Sequence, residues 1–248
     1  MAKQKVFYQD LNRISFQEAW DYQGKIQKSM IQHKLSKRGL SGNALLAYKQ
    51  NHHLLFCQHN PVYTLGKSGT PDNLLLDDDE MKKAGVEYFK INRGGDITFH
   101  GPGQITGYPI FDLDEFFTDV HRYVRTLEEI VIRTIAHYNI EGKRLEGYTG
   151  VWINEPHHIR PYRKICAFGV HLSRWVTMHG FALNVNTDLS YFENIIPCGI
   201  EDKDKSVTSI QKELGQKVDI NEVKMILKTN FASLFDYEYV DNRHAEVT

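Results

Sequence analysis

Residues 86–113 read VEYFKINRGGDITFHGPGQITGYPIFDL. Three short runs of β-branched and aromatic residues are separated by Gly94-Gly95 and by Gly101-Pro102-Gly103. The pattern is strand, turn, strand, turn, strand, with the glycine pair as a hairpin signal and the second interruption as a tighter turn. Upstream, LLFCQH (54–59) and VYTLG (62–66) are two further β-like runs with Asn60-Pro61 turning between them. Downstream, GYTGVWI (147–153), KICAFGVHL (164–172) and TMHGFALNVN (177–186) add three more.

Helices are spaced around these strands. One begins in RISFQEAWDYQGKIQKSMI (13–31), where Ser15 and Glu18 suggest a capping box and Ile14 can staple onto Ala19. Another is expected from about Phe116 to Tyr138, with Val120, Tyr123, Val124, Leu127, Ile130, Val131 and Ile135 at helical spacing. A last one follows Asp219 and Glu222, with Val223, Ile226, Leu227 and Leu234 as its apolar stripe. Strands clustered centrally with helices at intervals predict an α/β (α+β) fold, a mixed β-sheet with packed helices. No linker or repeat divides the chain, so one domain over 1–248 is expected, with 211–248 as a candidate helical appendage.

Of 248 residues, 41% are hydrophobic and 25% charged, the balance of a globular protein with an ample core. The formal net charge of -1 supplies no global field for nucleic acid or an anionic membrane. Three cysteines, Cys57, Cys166 and Cys198, are too few and too odd for a disulfide framework, which predicts a reducing compartment. The N-terminal residues lack a signal-peptide core and no run reaches membrane-spanning length, so a cytoplasmic location is expected. Twelve histidines raise the question of metal, yet His52-His53 and His157-His158 are adjacent pairs that diverge on a strand. No Cys-x-x-Cys or His-Glu-x-x-His spacing occurs, so no metal site is expected.

Polar groups interrupt apolar strands at four places. RGGDITFHGPGQ (93–104) combines glycines that admit a ligand to the backbone with Arg93 and His100 beside them. It carries neither a Walker loop nor a dinucleotide fingerprint. Lys164 heads an apolar strand, where an inward lysine is costly. His179 and Asn184 punctuate TMHGFALNVN. Cys198 sits between Pro197, which fixes φ, and Gly199, which frees it, just before a charged loop. Each has an ordinary structural reading when taken singly: a glycine-rich turn, a solvated strand end, a satisfied histidine, a buried thiol.

Together these stretches resemble the lipoyl(octanoyl) transferase family of lipoate biosynthesis. The matching segments are HNPVYTLGKSG, RGGDITFHGPGQITGYP, GVWI, KICAFG, HGFALNVNTDL and IIPCGI…VTSI, in the family's order across about residues 56–210. The resemblance implies a fold like the catalytic domain of biotin and lipoate protein ligases. It implies transfer of an octanoyl (or lipoyl) group from acyl carrier protein to a specific lysine, the first step of endogenous lipoate biosynthesis. Lipoyl domains of 2-oxoacid dehydrogenases and the glycine cleavage H protein would be the acceptors, with the enzyme a monomer. It assigns Cys198 as the acyl-accepting nucleophile and Lys164 as its base and pKa partner. The substrate-binding positions it implies are Arg93, Gly94, Gly95, Asp96, Ile97, Thr98, Phe99 and His100, then Ala167, Phe168 and Gly169, then Gly180, Phe181 and Ala182. No cofactor and no metal are implied.

The implied chemistry is self-consistent. A thioester exchanges for a cysteine thioester almost isoenergetically, and attack by an amine then gives an amide downhill, so ATP is unnecessary. The nearest alternative is an ATP-dependent ligase of the same fold, and a more distant one is a non-catalytic acyl-binding module. Two features depart from the family: Cys166 replaces a small non-thiol residue and by alternation shares the face of Lys164, and NEPHHIRPYR (154–163) is long and partly basic. With Arg122 and Arg125, the cations of 157–164, Arg160 and Arg163 among them, are candidates for docking an acidic carrier protein.

Overall fold

The computed structural model describes residues 3–42, 48–157, 159–196 and 204–240. In chain order the strands are β1 (Gln4–Ile14), β2 (His52–His59), β3 (Val62–Leu65), β4 (Glu87–Lys90), β5 (Ile97–His100) and β6 (Gln104–Ile110). Then come β7 (Gly142–Leu145), β8 (Tyr148–Asn154), β9 (Tyr162–Ser173), β10 (Val176–Asn184), β11 (Lys205–Val207) and β12 (Tyr237–Val240). The α-helices are α1 (Phe16–Ser36), α2 (Asp78–Ala84), α3 (Val120–Ala136), α4 (Ile210–Leu214) and α5 (Ile220–Phe235), and a 3-10 helix spans Leu189–Asn194.

The large sheet runs β12-β1-β2-β6-β10-β9-β8-β7, with β11 paired beside β9. It is mixed: β1 lies parallel to β2 and β12, β11 parallel to β9, and the remaining neighbours are antiparallel. This is the mixed α/β architecture expected. A small sheet, β4-β3-β5, stands apart from it.

The two glycine interruptions of 86–113 act differently from the expected turns. β4 and β5 do not pair across Gly94-Gly95, because β3 lies between them, parallel to β4 and antiparallel to β5. The loop spends its backbone elsewhere: Lys67 N donates to Arg93 O (2.9 Å), Ser68 N to Gly95 O (3.1 Å), and Gly94 N to Val170 O (3.0 Å). The first two close the loop on the chain after β3, and the third ties it to β9. The second interruption carries the chain from the small sheet to the large one, and Gly103, at φ +81, accepts from Asn186 N (2.8 Å) as it turns.

Helices α3 and α5 cover one face of the large sheet. Tyr123, Leu127, Ile130, Val131 and Ile135 of α3 are fully buried against Phe56, Ile105, Phe181 and Leu183. The α5 stripe is Val223, Leu227, Phe231 and Phe235; the expected Ile226 and Leu234 are only partly buried, because i+4 spacing carries the core seam to the two phenylalanines. Residues 211–240 thus share the main core, and β12 extends the sheet beyond β1. On the opposite face, Ala19, Ile26 and Met30 of α1 pack on Leu55, Cys57, Tyr108 and Ile110. The small sheet covers the rest of that face. At the start of α1, Ser15 Oγ accepts from Glu18 N (3.2 Å) and donates to the Glu18 carboxylate (2.6 Å), so the cap is made through the hydroxyl alone. Among the described residues no helix is long and apolar enough to cross a membrane.

Candidate active site

A cavity of about 260 Å³ lies between the small sheet and the face of the large sheet beside α1. Strand alternation decides which expected residues reach it. On β5, Thr98 and His100 line the cavity, whereas Phe99 points to the other side and stacks on Tyr191 at 4.5 Å between ring centroids. Arg93, Gly95, Asp96 and Ile97 line it as well; Gly94 does not, being the link to Val170. Ala167, Phe168 and Gly169 from β9 and Gly180, Phe181 and Ala182 from β10 complete the expected wall. Gly169 is required by crowding: a Cβ there would lie 2.7 Å from Gly94 O and 2.8 Å from Arg93 Cδ.

Lys164 reaches this wall through a bulge. Val151 of β8 opposes Cys166 of β9, and the next β8 residue, Trp152, opposes Lys164, so Ile165 is an extra residue on β9. The side chains of Val151 and Trp152 point to opposite faces, and their partners follow them. Cys166 therefore joins Val151 in the main core, 1% exposed, while Lys164 turns to the cavity with its Nζ 4.5 Å from the centre of the Trp152 ring. Cys166 nevertheless lines the cavity along with Lys164, so the expected second thiol does lie beside the site, packed at the boundary between the cavity and the main core. Burial pushes the Cys166 thiol well above its ordinary pKa, and its Sγ donates weakly to Ala167 O (3.6 Å). Burial outweighs the nearby Lys164 charge, so this thiol lacks the lowered pKa of a nucleophile.

The polar floor is organised around a hydrogen-bonded His100. Arg93 Nη2 donates to Thr64 O (2.6 Å) and Thr64 Oγ1 (3.0 Å), leaving that hydroxyl to donate to His100 Nε2 (3.3 Å). His100 Nδ1 donates to Gln104 Oε1 (2.8 Å). Gln104 Nε2 donates to Asn184 Oδ1 (2.9 Å), and Asn184 Nδ2 to Thr208 O (3.0 Å). Thr208 N in turn donates to Lys164 O (2.9 Å). Burial pushes His100 well below its ordinary pKa and His179 down to about 3, with Arg93 nearby as a further cause for each. The same burial lowers the Arg93 guanidinium to about 10. Two buried polar atoms of the cavity residues, Arg93 Nε and Thr106 Oγ1, have no protein partner among the described residues.

Sequence reasoning did not single out Tyr148 and Thr149, which line the cavity beside Lys164, nor Tyr108 and Phe16. Tyr148 and Thr149 stood in GYTGVWI, read only as a strand. Cys198, Pro197 and Gly199 lie outside the described residues. The described residues flanking that segment are Ile196, whose N donates to Asn73 O (2.8 Å), and Asp204, which accepts from Tyr162 N (3.2 Å) on the strand of Lys164. His158 of the basic segment also lies outside.

Arg163 is withdrawn from the docking surface. It is 5% exposed, and its Nε and Nη2 donate to the two oxygens of Glu213 (3.0 and 2.8 Å). Nη1 lies 3.1 Å from Glu155. Arg160 is exposed, as are Arg122, stacked over Phe117, and Arg125, paired with Glu128. Among the described residues no group of three His, Cys, Asp or Glu side chains could hold a metal ion.

A sheet flanked by helices, an enclosed wall of small and apolar residues and a lysine turned into it match one catalytic-domain class. Residues 37–232 match the model of the lipoyl protein ligase A/B catalytic domain, and the chain belongs to that family. Among its relatives is the octanoyltransferase of Cytophaga hutchinsonii, 50% identical over 98% of each chain; the protein is accordingly an enzyme, a transferase. The fold is shared with the bipartite lipoate protein ligase of Thermoplasma acidophilum (TM-score 0.68, 18% identity, covering 100% of this chain and 89% of that one). It is shared more distantly with the biotin protein ligase of Aquifex aeolicus (TM-score 0.50, 13% identity, covering 94% and 70%).

Proposed function

We propose that this protein transfers an octanoyl group from acyl carrier protein to a lysine of lipoyl domains, through a thioester on Cys198 with Lys164 as proton acceptor. The observation that carries the reading is Lys164, re-aimed by the β9 bulge into a cavity walled by small and apolar residues. The octanoyltransferase name of the Cytophaga relative supports the acyl group, and the lipoyl domain named with the Thermoplasma ligase supports the acceptor class. The 2-oxoacid dehydrogenases and the glycine cleavage H protein are the acceptors inferred from family resemblance. The enzyme acts as a monomer in the cytoplasm, without ATP, metal or cofactor, because the donor thioester already carries the activation.

In the first step the Cys198 sulfur attacks the octanoyl carbonyl. The bond to the carrier sulfur breaks, and the departing carrier thiolate takes the one proton held by the Cys198–Lys164 pair, which leaves Lys164 neutral for the second step. In the second step the acceptor lysine amine attacks the acyl-cysteine, an amide forms, and Cys198 leaves as thiolate. The proton released from the amine passes to Lys164, which must be neutral to take it. The histidines of the floor add no charge beside an aliphatic chain, and the Arg93 guanidinium there is turned onto Thr64 and Gly94 O.

The test is intact and peptide mass spectrometry after incubation with octanoyl carrier protein, without nucleotide and with chelator present. The octanoyl mass is expected on the peptide containing Cys198, and Cys166→Ala should leave transfer largely intact. An adduct on Cys166 would overturn the assignment. An absolute requirement for ATP would favour the ligase chemistry.

A further inference from the structure

We propose that Trp152 is the positioning residue for Lys164: its indole face holds the lysine amine at the cavity wall and favours the ammonium form between turnovers. The proposal rests on the reading of Lys164 as the proton acceptor.

Three observations converge on the pair. The first is register. Trp152 and Lys164 are cross-strand partners only because Ile165 is inserted between Lys164 and Cys166. Without the bulge the lysine would share the core face with Cys166. The second is the contact itself. Nζ lies 4.5 Å from the ring centre, within the range in which a cation is attracted to the aromatic face, and the ring is 1% exposed. A buried indole offers that face with little water to compete. The third is the space kept for it. Gly150 has φ +146, and a Cβ there would lie 3.1 Å from Trp152 Nε1 and 3.3 Å from Lys164 Cε. The glycine leaves the lysine stem and the indole edge side by side. Gly150 N donates to the buried Glu128 carboxylate (3.0 Å), which α3 supplies and which Arg125 and Arg144 neutralise.

Other charged and titratable groups surround the pair. Tyr148 of β8 meets the indole edge-on at 6.0 Å between ring centroids, and Lys205 of β11 lies over Tyr148 at 4.7 Å and pairs with Asp204. Tyr162 and Cys166 flank Lys164 on its own strand, and Glu128 stands behind Gly150. Cys198, Glu201, Asp202 and Lys203 lie outside the described residues. Of these described groups only Tyr148 touches the indole, and a graded series at position 152 varies the aromatic face while the charged neighbours keep their identity. Phenylalanine keeps a weaker aromatic face, and leucine keeps apolar bulk with none.

The experiment is an NMR titration of the Lys164 ¹³Cε signal in resting, ¹³C-lysine-labelled enzyme, assigned by its disappearance in Lys164→Arg. Thermal melts check that each variant is folded. The titration midpoint is expected to fall by about 0.5–1.5 pH units in Trp152→Leu, from the usual range of cation–π energies. A smaller fall is expected in Trp152→Phe. The pH profile of transfer should move toward acid in the same order. Should the leucine variant fail to fold, the phenylalanine variant decides alone. An unchanged midpoint in a folded variant overturns the proposal, even when Cys198 is acylated normally. A falling midpoint in an enzyme that never acylates Cys198 keeps the indole's role and removes the transfer reading.

Discussion

At the scale of single residues the question is what Lys164 contributes. A thiol of pKa near 8.5 is only about 3% ionised at pH 7. Lowering that pKa by about two units raises the thiolate about 25-fold but costs about eightfold in nucleophilicity, a net gain of about threefold. A fixed positive charge is therefore a weak catalyst here, whereas proton relay is commonly worth about 10²–10⁴-fold. Lys164→Arg separates the two, since arginine keeps the charge and does not deprotonate. It should lose most transfer to the acceptor lysine at pH 7–8, while slow acylation of Cys198 persists. Near-normal transfer at saturating acceptor would leave Lys164 as an electrostatic support only. A second residue-scale expectation concerns Arg163. Arg163→Glu strands the Glu213 carboxylate that it clamps and should cost about 3–5 kcal/mol in urea unfolding. Arg160→Glu, on exposed chain, should leave stability unchanged and raise KM for the carrier protein alone.

At the scale of elements the bulge in β9 matters most. Residue types told where Lys164 belongs in the chain, and strand alternation told where it would point, but alternation assumes an unbroken ladder. One inserted residue reverses it, and nothing in KICAFG marks the insertion. The same limit explains two other differences. β1 carries a single fully buried residue, Val6, in a strand otherwise partly buried or exposed, so its period-2 signal is weak; its pairing with β2 and β12 is tertiary. Gly94-Gly95 looked like a hairpin because the turn was visible, and VYTLG was visible as a strand, while its insertion between the two was not. The cavity wall, by contrast, was largely legible. Glycines and alanines opposite one another on β9 and β10 leave room that larger side chains would fill. Phe99 failed to reach it for the ordinary reason that its strand neighbours Thr98 and His100 did. Gly150→Ala tests the element directly. Forcing a Cβ at φ +146 beside Lys164 Cε should cost about 1–3 kcal/mol of stability. It should also lower the rate of transfer more than that of Cys198 acylation, read by burst kinetics.

At the scale of the whole molecule, the sheet is built around uncharged imidazoles. Burial lowers His53 to about 4, assisted by its neighbour His52, and His59 to about 4, while His179 falls to about 3. His59 is held by Ile14 O through Nδ1 (3.1 Å) and by the Tyr108 hydroxyl through Nε2 (2.7 Å), so the ends of β1 and β2 meet β6 on one neutral ring. The folded state binds fewer protons than the unfolded chain between these lowered values and about 6.5. Stability therefore rises with pH across that window, and it is lost as pH falls from about 6.5 toward about 4. A single group in the window contributes a slope near 1.4 kcal/mol per pH unit. His59→Gln removes one such group while keeping a donor and an acceptor. Between pH 6.5 and pH 5 the wild type should lose about 2 kcal/mol more than this variant in urea unfolding, although the variant starts less stable at pH 7. Parallel losses in the two proteins would mean that His59 is charged in the fold already, and that the uncharged histidines beneath the cavity do not include it.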